Sequence, residues 1–209
     1  MTNVVEVMTK NRLVAVVREN DYETAKKISE AAIAGGIKLI EITFTIPNAD
    51  KLITELTQAH KNDGVCVGAG TILDTETARI AILAGAQFIV SPTTDSSVTT
   101  LCHRYQICCA CGAFTPNEVK YAMECGADMV KVFPATLCSP SYLKALHGPF
   151  PNVKFMVTGS MREDTILQWL NDGASVVGVG GILADPAHAG DYDTVTKNAR
   201  KLVEIVTKE

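Results

Sequence analysis

The feature that most restricts how this 209-residue chain can fold is a repeat. Short apolar runs at 13–17, 37–42, 65–67, 88–90, 107–110, 129–133, 154–157 and 176–179 recur about every 20–28 residues, the length of one strand–helix unit. Most of them follow Gly or Asn and stop at a polar or Gly/Pro residue. Brief continuous apolar runs of this kind read as strands buried on both faces, as in a parallel sheet.

The intervening stretches have helical periodicity. Residues 22–34 put Ala25, Ile28, Ala32 and Ile33 on one face, with Lys26, Lys27 and Glu30 elsewhere. Similar helices are expected at 50–60, 75–84, 96–104, 116–125, 142–147 and 163–172. A last one at 193–208 aligns Val195, Ala199, Leu202, Val203 and Val206. Thr115-Pro116-Asn117-Glu118 supplies a cap, a first-turn proline and a carboxylate at the third helical position. Asp74-Thr75-Glu76-Thr77 does similar work. Glycines at 36, 85, 126 and 173 are placed to end helices in the left-handed conformation just before the next strand.

Eight strands alternating with helices close most naturally into a (β/α)8 TIM barrel. An open doubly wound sheet is the alternative, but it does not require this even count. Residues 3–11 are expected as an extra helix before the first strand, closing the barrel bottom. Neither a linker nor a low-complexity segment interrupts the pattern, so residues 1–209 read as a single domain.

Composition excludes several partners. A net charge of −4 without a basic cluster argues against nucleic acid. No apolar run approaches membrane-spanning length. The opening Met1-Thr2-Asn3-Val4-Val5-Glu6 lacks the layout of a signal peptide. Seven cysteines, an odd number spread through apolar runs, fit reduced thiols in the cytoplasm better than a disulfide framework. Cys108-Cys109-Ala110-Cys111 is the one cluster that suggests metal. On a strand, however, Cys108 points away from Cys109 and Cys111, and no second pair or nearby His completes a tetrahedral set. Core packing is therefore expected there, and no metal.

In such a barrel the site lies at the carboxyl ends of the strands, and here those ends are polar, small and hydroxyl-rich. Lys131 stands out within an apolar run closed by Pro134. Burying an unpaired ammonium costs several kcal/mol, roughly, unless its pKa falls, and such a lysine is a nucleophile towards carbonyl carbon. The alternative is a lysine that snorkels out from the strand end. Glu41 shares strand parity with Leu39 and Thr43, so it faces the interior if Leu39 does. A carboxylate and an ammonium at one apolar cavity suit proton transfer beside an imine, although a purely structural ion pair would look the same. Thr158-Gly159-Ser160 and Gly180-Gly181, from the seventh and eighth strands, are placed to offer backbone N–H groups to phosphate. The four histidines, 60, 103, 147 and 188, fall on helices or their ends, away from the strand tips, which favours metal-free lysine chemistry.

Several motifs in order resemble one family along nearly the whole chain. They are Gly35-Gly36-Ile37-Lys38-Leu39-Ile40-Glu41-Ile42-Thr43, Val67-Gly68-Ala69-Gly70-Thr71, Gly85-Ala86-Gln87-Phe88-Ile89-Val90-Ser91-Pro92 and Lys131-Val132-Phe133-Pro134-Ala135. Gly148-Pro149-Phe150-Pro151-Asn152-Val153 and Ala189-Gly190-Asp191-Tyr192-Asp193 extend the match. The chain resembles the bacterial 2-keto-3-deoxy-6-phosphogluconate (KDPG) and 4-hydroxy-2-oxoglutarate (KHG) aldolases, with the related phosphogalactonate-derived aldolases. The resemblance implies a class I aldolase barrel, assembled as a homotrimer and needing no cofactor beyond a covalent imine. Lys131 matches the Schiff-base lysine, Glu41 the proton-shuttling carboxylate, and Thr71 and Pro92 positions lining the pyruvate half of a phosphorylated 2-keto acid. The substrate-binding set expected is Arg18, Thr45, Thr71, Pro92, Phe133, Thr158, Gly159, Ser160, Gly180 and Gly181.

Three positions depart from the pattern. Thr45 stands where some members carry an Arg for the substrate carboxylate, and Arg18 at the tip of strand one is the candidate replacement. Ser160 replaces the second glycine of the usual Thr-Gly-Gly, and Ile182 replaces a Ser often found after the strand-eight glycines. Cleavage of KDPG to pyruvate and glyceraldehyde 3-phosphate is the leading expectation, with KHG as a further substrate. A galactonate-derived or unphosphorylated 2-keto acid is the alternative. A phosphosugar isomerase or epimerase, or a silent metabolite-binding barrel, would use the same fold without needing Glu41 and Lys131 together.

Overall fold

The computed structural model describes residues 4–159 and 161–207. Its strands are β1 (Leu13–Val17), β2 (Leu39–Thr43), β3 (Cys66–Gly70), β4 (Phe88–Val90), β5 (Cys108–Ala113), β6 (Met129–Val132), β7 (Phe155–Thr158) and β8 (Ala174–Val179). Each pairs in parallel with the next, and β1 pairs with β8 through Leu13↔Val177 and Ala15↔Val179, so the sheet is a closed barrel. The helices are α1 (Val4–Asn11), α2 (Tyr22–Ala34), α3 (Ala49–Ala59), α4 (Thr75–Leu83) and α5 (Ser96–Arg104), followed by α6 (Pro116–Glu124), α7 (Pro140–His147), α8 (Ile166–Asn171), α9 (Gly181–His188) and α10 (Tyr192–Thr207). The (β/α)8 barrel with an extra N-terminal helix is the fold expected. Residues 3 and 208, at the ends of two expected helices, lie outside the described residues.

Local chemistry sets the boundaries. Asp21, Asp74 and Asp95 accept hydrogen bonds from backbone N–H groups at the starts of α2, α4 and α5. Thr115 and Glu118 form a reciprocal capping box ahead of α6, with Pro116 in its first turn. Gly36, Gly85, Gly126 and Gly173 all have φ between 85° and 112°, which a side chain would strain. Strand β2 begins at Leu39 rather than at residue 37, because the Ile37 N–H is taken by the Ala32 carbonyl at the end of α2. Strands β3 and β5 run three residues past their apolar runs, to Gly70 and Ala113. Helix α9 was not expected: it starts on two glycines without a side-chain cap and contains Pro186.

Period-two alternation divides the buried residues into two sets. Val14, Leu39, Cys66, Phe88, Cys108, Met129, Met156 and Val176 fill the barrel interior, joined by Met8 of α1. Their strand neighbours, such as Ile40, Val67, Ile89, Cys109 and Val130, pack outward against the helices. Met8 is fully buried in the inner cluster, which is how α1 helps to close the barrel. None of the described helices is long and apolar enough to cross a membrane.

Above this apolar layer the interior becomes small. Gly68 pairs with Glu41, Gly70 with Thr43, Gly112 with Lys131 and Gly178 with Thr158. A Cβ on Gly112 would overlap the Pro92 carbonyl and come within 2.5 Å of the Thr93 nitrogen, so only backbone is available to move. Gly112→Ala is expected to lower folding stability by about 3 kcal/mol or more, since overpacking against backbone has no side-chain escape. Urea denaturation checks this: a midpoint within experimental error of the parent would show that the β4–β5 crossing is looser than drawn.

Candidate active site

Glu41 and Lys131 occupy the first level above the apolar layer. Each lies two residues beyond an interior side chain, Leu39 on β2 and Met129 on β6, and therefore points inward as well. The Lys131 Nζ is 3.6 Å from Glu41 Oε1, with the two side chains 4% and 1% exposed. Lys131 thus does not snorkel. Its Nζ also lies 5.3 Å from the centre of the Phe133 ring. Neither carboxylate oxygen of Glu41 receives a hydrogen bond from the described residues. Gly70 makes room for this carboxylate, because a Cβ there would come within 2.7 Å of Glu41 Cγ and Cδ.

A cavity of about 320 Å³ opens onto Lys131. Of the residues expected to bind substrate, Arg18, Phe133, Thr158, Gly159, Gly180 and Gly181 line it. Thr158 Oγ1 is buried without a hydrogen-bond partner among the described residues, and a buried polar atom left free beside a cavity is available to a ligand. Arg18, on the cavity wall, donates from Nη2 to Thr71 Oγ1 at 3.0 Å. Thr71 itself sits at φ 59°, a conformation few non-glycine residues adopt.

Three expected residues stand apart from this cavity, Thr71 among them, joined to it through Arg18. Pro92 lines a neighbouring one of about 250 Å³, which also contains Gly112 and shares Phe133. Thr45 is exposed, with its hydroxyl 2.8 Å from that of Thr43. Ser160 lies outside the described residues. Ile182, on α9, is partly buried against the outer apolar cluster.

Sequence reasoning missed Glu19. The structure places it in the main cavity, 8% exposed, where it accepts a hydrogen bond from His188 Nε2 across 2.9 Å. The Glu19 carboxylate raises the His188 pKa above its ordinary value, first through that hydrogen bond and then through its charge. The expectation that all four histidines stay away from the strand tips is therefore corrected. His188 ends α9, and α9 lies close enough to the end of β1 for its ring to reach the rim. The one available signal was an ionisable residue directly after Arg18, but strand parity does not extend beyond the strand.

The cysteines behave as packing residues. Cys108 belongs to the interior cluster, whereas Cys109 and Cys111 face outward with their sulfurs 3.7 Å apart. All seven are free thiols, and burial pushes Cys108 up from its ordinary pKa. Among the described residues, no group of three or more His, Cys, Asp or Glu side chains could hold a metal ion.

Comparison with known proteins gives a consistent picture. The family model described as KDPG and KHG aldolase matches residues 4–198. The 2-dehydro-3-deoxy-phosphogluconate aldolase of Treponema pallidum (strain Nichols) is 32% identical over 210 residues, covering 99% of each chain. The KHG/KDPG aldolase of Escherichia coli (strain K12) is 31% identical over 207 residues, covering 97% of this chain and 96% of that one. Among solved structures, the KDPG aldolase of Legionella pneumophila, with pyruvate captured as a covalent carbinolamine, superimposes with a TM-score of 0.83. It is 25% identical, over 95% of this chain and 97% of the other. With a family model spanning nearly its whole length and relatives above 30% identity end to end, the chain belongs to the KDPG and KHG aldolase family.

Proposed function

We propose that this protein is a class I aldolase that cleaves 2-dehydro-3-deoxy-6-phosphogluconate to pyruvate and glyceraldehyde 3-phosphate. It would also cleave KHG to pyruvate and glyoxylate. The observation that carries the reading is the buried Lys131–Glu41 pair, 3.6 Å apart, whose lysine lines a cavity suited to a small ligand. The covalent pyruvate carbinolamine in the Legionella enzyme and the activities named for the Treponema and Escherichia relatives support it.

The chemistry follows from the geometry. Lys131 Nζ attacks the C2 carbonyl, and loss of water from the carbinolamine leaves a protonated imine. That imine accepts the electron pair of the C3–C4 bond as the C4 hydroxyl gives up its proton, which releases the aldehyde and leaves an enamine. Glu41 takes the hydroxyl proton and later returns it to C3, after which hydrolysis frees pyruvate and regenerates the lysine. Thr158, with its free hydroxyl, and the backbone at Gly159, Gly180 and Gly181 would hold the substrate beyond C4. Phe133, Pro92 and Thr71 would bound the pyruvate half, with Ser160 and Thr45 at the rim. We also infer a cytoplasmic homotrimer; the exposed Leu73, Ile80 and Leu83 support burial against another copy.

The test is pyruvate release from KDPG and KHG, followed in a coupled assay. No release from either would end the proposal. Arg18 is assigned to the substrate carboxylate, because it lines the Lys131 cavity and its guanidinium is held by Thr71, a residue expected at the pyruvate half. Arg18→Ala is expected to raise KM by about 10–100-fold, the worth of a charge-assisted hydrogen bond. Pyruvate affinity equal to that of the parent would remove Arg18 from this role.

A further inference from the structure

The aldolase chemistry leaves Glu19 without a task. It is the second residue past β1, more than nine-tenths buried, and it lines the Lys131 cavity together with Gly181 and Ala184 of α9. Its Oε2 is held by His188, a residue 169 positions away in the chain. Its Oε1 is buried and has no hydrogen-bond partner among the described residues. Arg18, its sequence neighbour, turns instead to Thr71. A buried carboxylate oxygen without a donor is costly to the fold, and an oriented one on a cavity wall marks a ligand contact.

An ionised carboxylate only accepts hydrogen bonds, so the matching ligand group is a donor. Lys131 would fix C2 of the substrate in the cavity, and the tail beyond C4 then extends along its wall. The two substrates named for the family differ at the next carbon. KDPG carries a hydroxyl on C5, whereas C5 of KHG is a carboxylate.

We propose that Glu19 determines specificity for the substrate tail, accepting a hydrogen bond from a C5 hydroxyl and disfavouring 2-keto acids that carry a carboxylate at C5. His188 is its positioning residue. The inference rests on the aldolase reading, and it separates two substrates that the family name joins. A C5 carboxylate would set its charge directly against Glu19 and has no hydrogen to donate, whereas in KDPG the C5 hydroxyl donates to Oε1 and the phosphate lies one carbon further on, for the backbone N–H groups at Gly159, Gly180 and Gly181 to take up.

The experiment measures kcat/KM for KDPG and for KHG on the full chain and takes their ratio. The parent is expected to favour KDPG by about 100-fold or more, in the range set by like-charge juxtaposition. Glu19→Gln keeps the shape and removes the charge, so the ratio falls by about tenfold or more, mainly through a gain on KHG. His188→Ala raises KM for KDPG more than it lowers kcat, and His188→Gln, which can still donate to Glu19, restores KM. That rescue distinguishes positioning from general support of the fold. Cleavage of both substrates with a ratio unmoved by Glu19→Gln overturns the assignment of Glu19 alone. A parent ratio near one also overturns it and needs no variant to fold. If the parent releases pyruvate from neither substrate, the aldolase reading fails and this inference fails with it.

Discussion

Replacing Lys131 by arginine is expected to abolish pyruvate release, by at least about three orders of magnitude, and to eliminate the adduct that borohydride traps with pyruvate. Arginine is the informative choice because it keeps a positive charge opposite Glu41. The two side chains are 4% and 1% exposed and 3.6 Å apart, so removing either charge outright leaves the other buried and unpaired. That loss alone costs about 3–5 kcal/mol in comparable settings, and an alanine variant would confound folding with chemistry. A guanidinium preserves the pairing but does not form an imine with a ketone. A structural ion pair therefore predicts an active Lys131→Arg enzyme, and a Schiff-base nucleophile predicts a folded, inactive one. Mass analysis of the trapped protein decides between them: an adduct that persists in the variant would move the imine to another lysine.

How much of this was legible beforehand depends on the range of the interaction involved. The barrel was legible because each strand–helix unit repeats its own local signals, namely an apolar run, a cap such as Thr115 and a closing glycine such as Gly126. The inward aim of Glu41 and Lys131 was legible because a strand has period two, and Leu39 and Met129 declare which face is inside. The carboxyl-terminal halves of β3 and β5 were not, since Gly68, Gly70 and Gly112 have no side chain to advertise a buried strand. Their smallness is imposed from elsewhere, by the Phe88 ring, the Glu41 carboxylate and the Pro92 backbone. Helix α9 was hidden for a related reason, because Gly180-Gly181 and Pro186 are local signals against a helix. The Glu19–His188 contact joins the first strand end to the end of α9 and leaves no trace in either segment alone. Lattice-like regularities survive in a single sequence, whereas pairings between distant rim residues do not.

Glu41→Gln is expected to lower kcat by about 100- to 10,000-fold with a much smaller change in KM, the range for removing a positioned general acid–base. The substitution is isosteric, which matters in so tight a place: Gly70 leaves no slack beside Glu41, with a notional Cβ only 2.7 Å from its Cγ and Cδ. The parent carboxylate receives no hydrogen bond from the described residues, so it is held by packing and by the charge of Lys131. A group held in this way can exchange protons with a bound substrate without first breaking a competing hydrogen bond. Glutamine fits the same space, and its amide oxygen can still accept a hydrogen bond from Lys131, which reduces the cost of the lost charge and leaves thermal stability as the control for folding; it neither accepts the C4 hydroxyl proton nor returns one to C3. The KM and kcat split tests this role directly, because an interaction made only as the bond breaks appears in kcat, while uniform substrate binding appears in KM. Imine trapping adds a second check. The variant should still be trapped with pyruvate, more slowly, since attack by Lys131 does not require the C4 proton transfer. A kcat within about threefold of the parent would assign Glu41 to charge pairing alone and leave the proton shuttle to another group in the cavity, of which the Glu19 carboxylate with its unpartnered Oε1 is the candidate by chemistry.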